Sequence, residues 1–144
     1  MPRYEWEVPP EELRERGPLC NIEISVPQVM IDLLAESDQP IPDSIPGPAL
    51  IDTGASISAV DMAVLEALQI NQVDVIELAT PSNPQAIGPG FPARFIFRDK
   101  VIELSIVLGA DLRPFNAIAI IGRDILSNCL LIYFGTRERV LLSY

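Results

Sequence analysis

A mainly β fold, built of short strands with one or two short helices, is predicted by three features of this sequence. Fourteen prolines and eight glycines over 144 residues interrupt the chain too often for a helical bundle. Residues 19–26 and 101–108 alternate apolar with polar side chains, the period of a strand with one buried face. Only residues 58–68 put apolar side chains at clear helical spacing.

The elements follow in order. Residues 1–16 are charged and proline-bearing and read as an N-terminal tail. Within it, residues 9–16 suit a one- or two-turn helix stopped by Gly17-Pro18, and Tyr4 and Trp6 are available to dock it on the body at residues 17–144. Residues 19–26 are a strand ended by Pro27. Residues 28–48 start apolar, as a strand or short helix, and become an acidic, proline-rich surface loop. Ala49-Leu50-Ile51 is a buried strand leading into Asp52. Ser58 is placed to N-cap the helix at 58–68. Residues 73–79 and 85–97 are the arms of a hairpin, whose tip is either residues 80–84 or residues 87–90, with Gly88-Pro89-Gly90. Residues 101–108, 117–121, 130–134 and 139–144 are further strands, with a short helical turn at 125–126.

Composition narrows the chemistry. With 49% hydrophobic and 21% charged residues, the chain suits one globular domain that needs neither disulfides nor metal to bury a core. Its net charge of −10 has the wrong sign for the phosphate attraction behind most nucleic-acid binding. There is no histidine, so Ser/His/Asp and Cys/His catalysis and the commonest zinc ligation are excluded within the chain, and no cofactor is implied. Carboxylates remain as the available acids and bases. Cys20 and Cys129 lack CxxC spacing and sit in apolar contexts, as buried free thiols do. No apolar run approaches the ~18 residues of a membrane span and the N-terminus lacks a signal-peptide core, so a cytoplasmic protein is expected.

One stretch concentrates the chemistry. Asp52-Thr53-Gly54-Ala55-Ser56 mounts a carboxylate at the end of a buried strand, and Gly54 frees the next turn to bring its N–H close to a ligand. Far downstream, Ile120-Ile121-Gly122-Arg123-Asp124-Ile125-Leu126 supplies an apolar-apolar-Gly triplet. Together the two segments resemble the paired signature of the aspartic proteases. Because only one Asp-Thr-Gly occurs, the resemblance is to the retropepsin-like branch, whose single-lobed subunits pair to build one active site.

The resemblance spans residues 17–144 and implies a closed, barrel-like acid protease fold acting as a homodimer on peptide or protein substrates. It implies Asp52 as the catalytic acid, with Thr53 bonding across the dimer and Gly54 beside the substrate backbone. Ala55 and Ser56 would line the groove, the hairpin would serve as a flap with Thr80 and Pro81 near substrate, and Ile120, Ile121 and Gly122 would support the loop. Viral members pair the arginine matching Arg123 with an acid where this chain has Ser56, so Arg123 is left with another acid or backbone carbonyls. The rival expectation is a dimerising β-domain that binds peptides without cutting them.

Overall fold

The computed structural model describes residues 3–144. These described residues form ten strands and four short α-helices, β1 (Arg3–Glu7), α1 (Pro10–Arg16), β2 (Leu19–Ser25), α2 (Gln28–Glu36), β3 (Ile45–Ile51), β4 (Ala59–Asp61), α3 (Met62–Ala67), β5 (Asp74–Leu78), β6 (Ala86–Phe97), β7 (Lys100–Ala110), β8 (Ala119–Ile121), α4 (Arg123–Leu126), β9 (Leu130–Phe134) and β10 (Arg139–Ser143), with a 3-10 turn at Arg113–Phe115. Six of the strands, in the order β2-β3-β8-β4-β7-β6, close into a barrel because β2 pairs with β6 as well as β3. Strand β5 extends β6 beyond the ring as a hairpin, and β1-β10-β9 form a separate three-stranded sheet.

The alternation read in the sequence is what fills the barrel. On β2 and just after it, Cys20, Ile22, Ile24 and Val26 are buried, and they meet Phe95, Phe97, Val60 and Ile121 from the other strands. Each such side chain contributes on the order of 1.5–3 kcal/mol by leaving water. Among the described residues no helix is long and apolar enough to cross a membrane.

The path of the chain matters most around β8. This strand lies between β3 and β4, parallel to the first and antiparallel to the second. Residues 52–58 join β3 to β4, so they must arch over the end of the strand that separates them.

Several boundaries differ from the sequence expectation, each for a tertiary reason. Residues 59–61 are drawn into the barrel between β8 and β7, so the helix expected from residue 58 starts at Met62. Asp61 caps it instead, its carboxylate accepting the Ala63 N–H at 3.1 Å. The proline-rich residues 45–48 are strand rather than loop. The Pro48 carbonyl accepts the Ile118 N–H, so the missing Pro48 N–H also points toward β8, whose pairing with β3 begins only at Ala49. Residues 28–36 are helix. Within residues 1–16, residues 3–7 form β1, with Tyr4 buried and the Trp6 indole donating to the Leu19 carbonyl at 2.7 Å, while Met1 and Pro2 lie outside the described residues.

Candidate active site

Asp52 follows the last residue of β3, where Ile51 pairs with Ile121 of β8. Its own N–H donates to the Ile121 carbonyl at 3.0 Å, so the parallel ladder carries the backbone rigidly as far as the acid. The carboxylate is half-exposed. Its Oδ1 accepts the Gly54 N–H at 2.8 Å, while Oδ2 has no hydrogen-bond partner among the described residues. A fixed carboxylate with one uncommitted oxygen can take a proton from, or give one to, a molecule placed against it.

The arch over β8 is held from below. Ala55 donates to the Asp52 carbonyl and in turn accepts the Arg123 N–H at 2.8 Å. Gly122 lies directly beneath, where an added Cβ would stand 2.8 Å from the Ile57 backbone and 3.0 Å from the Ala55 oxygen. The close approach is between backbones, so no rotamer change could make room for a side chain. Ile121 is buried and Ile120 half-buried in the same strand.

A second set of bonds ties the far end of the arch. Ser58 is fully buried; its hydroxyl donates to Asp124 Oδ1 at 2.6 Å and accepts the Gly122 N–H at 2.9 Å. Asp124 also takes the Ser58 N–H on Oδ2 at 2.8 Å and the Ile125 N–H on Oδ1 at 2.9 Å. This pair was not singled out from sequence as part of the site. The available signal was a serine and an aspartate, each bordering an apolar run, since buried polar side chains must find partners.

Arg123 resolves the question left open by Ser56. Its Nη1 donates to the Thr53 carbonyl at 2.7 Å, and among the described residues it forms no ion pair. The Thr53 side chain is exposed and its hydroxyl has no partner among the described residues, and Ser56 is exposed beside half-buried Ala55.

Thr80 and Pro81 lie apart from this cluster. They belong to the seven-residue tip, 79–85, between β5 and β6, where Thr80 and Asn83 bond to each other through backbone and side chain. Among the described residues no hydrogen bond links the tip to residues 52–58. A hollow of about 490 Å³ at the tip is lined by Glu77, Leu78, Ala79, Pro84, Gln85 and Ile87, none of them from the acid's loop, so it is not the cleft of Asp52. Gly88 and Gly90 are inside the paired hairpin. They accommodate neighbours rather than turn the chain, since a Cβ on Gly88 would meet Leu108 at 2.5 Å and one on Gly90 would meet Ile106 at 2.8 Å.

The other acids near the loop are committed. Asp124 makes the bonds above, and Asp61 accepts the Leu112 and Ala63 N–H groups. Among the described residues no three Cys, Asp or Glu side chains cluster as metal ligands would.

No protein-family model and no curated protein matches this sequence. Solved structures do. A retropepsin-like aspartic protease from Rickettsia conorii superposes with a TM-score of 0.50 over 99% of this chain and 91% of its own, at 14% identity. The EIAV protease in complex with an inhibitor gives a TM-score of 0.47 over 79% of this chain and 88% of its own, at 22% identity. The first of these two likenesses shows a retropepsin-like fold, as the paired motifs implied.

Proposed function

We propose that this protein is an aspartic endopeptidase whose active site is completed by a second copy of the same chain. The observation that carries this reading is the state of Asp52: held on the β3–β8 ladder, bonded on Oδ1 and, among the described residues, free on Oδ2 and without a second uncommitted acid beside it. A single carboxylate cannot accept a proton from water and donate one to a carbonyl in the same step. Two in contact can, because like charges a few ångströms apart resist double ionisation and share one proton.

The chemistry then runs as general acid–base hydrolysis. The ionised Asp52 takes a proton from a water held between the two carboxylates, and the water oxygen attacks the peptide carbonyl carbon. The protonated Asp52 of the second copy gives its proton to the carbonyl oxygen, forming a neutral gem-diol. The diol then loses a proton to one carboxylate while the peptide nitrogen gains one from the other, and the C–N bond breaks. In this reading Thr53 offers its unbonded hydroxyl to the second copy's loop, and Gly54, Ala55 and Ser56 edge a groove for an extended peptide. Thr80 and Pro81 would meet the peptide when the hairpin closes.

The test is cleavage of an unfolded protein by wild type and Asp52→Asn at several enzyme concentrations. The expected result is loss of about 10²–10⁴-fold or more in the variant, and falling specific activity of wild type on dilution. Equal cleavage by both proteins would sink the proposal. A variant that binds peptide as wild type does, with neither protein cutting, would favour the non-cutting peptide-binding domain.

A further inference from the structure

Half of the chain's twenty acidic residues, and none of its ten basic ones, lie between Arg16 and Arg94. Helix α2 falls inside this stretch. Most of its residues are apolar, in the sequence QVMIDLLAE, yet none is buried. The helical period divides them between two sides. Met30, Ile31 and Leu34 are half-buried, the first two packed against the barrel core. Val29 and Leu33, one turn apart on the outward side, are 66% and 59% exposed.

The helix is firmly mounted all the same. The Gln28 N–H donates to Glu103 of β7, and its side-chain amide donates to Asp32 Oδ1 at 2.9 Å and accepts Arg94 Nη1 at 3.2 Å. Those bonds commit Arg94, the base that ends the acidic stretch, to the first turn of the helix. Asp32 and Glu36, one turn apart, line the exposed stripe of Val29 and Leu33, and Asp38 follows just beyond the helix. Among the described residues the Glu36 and Asp38 carboxylates have no hydrogen bond or ion pair. The outward side of α2 is therefore a rigid apolar stripe with an uncompensated acidic border.

We propose that this side of α2 docks an amphipathic helix of a partner protein, apolar along one stripe and flanked by lysine or arginine. A single exposed aliphatic side chain is ordinary, but two stacked on one helix face form the kind of surface against which a second helix lays its own apolar residues. Charge chooses the occupant. Two copies meeting through α2 would set Asp32 and Glu36 against the same acids, and an anionic membrane surface would be repelled. A basic flank instead places its charges over Asp32 and Glu36 while its apolar residues cover Val29 and Leu33. Docking here needs no chemistry from Asp52, so it is separable from the protease reading.

The probe is a synthetic amphipathic helix of leucine and lysine, about 18 residues long, with a leucine–glutamate counterpart. Binding to the full chain is measured by fluorescence anisotropy. Val29→Ser/Leu33→Ser and Asp32→Lys/Glu36→Lys are each expected to weaken the leucine–lysine helix by about tenfold or more. Glu11→Lys/Glu15→Lys on α1 makes the same change in net charge elsewhere and should leave binding within about threefold of wild type. The Asp32→Lys/Glu36→Lys protein should gain binding to the leucine–glutamate helix, which a misfolded chain could not do. Asp52→Asn should bind the leucine–lysine helix as wild type does. No binding by wild type, equal weakening from the α1 pair, no effect of Val29→Ser/Leu33→Ser, or no gain after the charge reversal would each overturn the proposal. Weakened binding in Asp52→Asn would put the peptide in the cleft of the acid and overturn it too. Sedimentation in which Val29→Ser/Leu33→Ser turns a dimer into a monomer would assign the face to a second copy instead. Cleavage of an unfolded substrate tests the protease reading separately, whatever α2 binds.

Discussion

The arch that carries Asp52 and the hairpin tip that carries Thr80 are two loops of equal length treated in opposite ways by the fold. Residues 52–58 are pinned along their length to β8 and α4, through backbone bonds and the buried Ser58–Asp124 pair. Residues 79–85 bond only among themselves. The contrast shows where this chain spends its long-range contacts. On the proposed function, a reacting carboxylate would need to be held to a fraction of an ångström, whereas a covering hairpin would need to move.

The contrast is broken most severely by Gly122→Ala. Backbone atoms block the new Cβ, so overpacking of about 1–3 kcal/mol and displacement of the Asp52 loop are expected, read as a lower denaturant midpoint and lost cleavage. Gly88→Ala in the hairpin meets only the Leu108 side chain at short range and costs less, because that side chain can turn away. Equal losses from the two would mean that the arch is no more constrained than the hairpin.

Next in size is Ser58→Ala. It leaves the buried Gly122 N–H without an acceptor and removes one bond from Asp124, a loss of about 1–3 kcal/mol in chemical denaturation. Thr80→Ala removes exposed local bonds and stays within about 0.5 kcal/mol of wild type. Amide hydrogen exchange sharpens the same point without mutation. The N–H groups of Asp52, Ser58 and Gly122 should exchange far more slowly than those of residues 79–85.

A separate effect, set by pH, concerns the core strand beside the arch. Cys20 pairs with Ala49 across β2 and β3, and burial pushes its thiol from 9.0 up to about 12. The folded protein then keeps this proton while the unfolded chain loses it near pH 9. The resulting stabilisation is complete below that pH and disappears as the pH rises toward 12. Urea midpoints measured from pH 8 upward should fall, and a thiol reagent at neutral pH should label half-exposed Cys129 well before Cys20. For the proposed dimer, long-range charge adds a solution test: two copies together carry −20, so sedimentation should show tighter dimers at high salt than at low salt.

Much of the arch was legible in sequence and little of the hairpin. Asp52-Thr53-Gly54 and Ile120-Ile121-Gly122 stand out because a buried strand ending in a glycine turn imposes itself on residue type. The partnership of Ser58 with Asp124 did not stand out, because 66 residues separate them and a serine before an apolar run looks the same whether it caps a helix or ties down a loop. For the same reason β4 was read as helix, since its three residues suit either period until β8 and β7 flank them. Gly88 and Gly90 looked like turn residues, although their purpose is to leave room for the side chains of β7.

By itself the sequence determined the mainly β class, the alternating faces that fill the barrel, the exclusion of histidine chemistry and the single candidate acid. These follow from local periodicity and composition, which a chain carries wherever it is placed. Tertiary structure decided that β8 separates β3 from β4, that Gly122 must lack a side chain beneath the arch, that Arg123 holds a carbonyl, and that Val29 and Leu33 of α2 are left uncovered. Each depends on which distant segments become neighbours, and that is fixed only when the barrel closes.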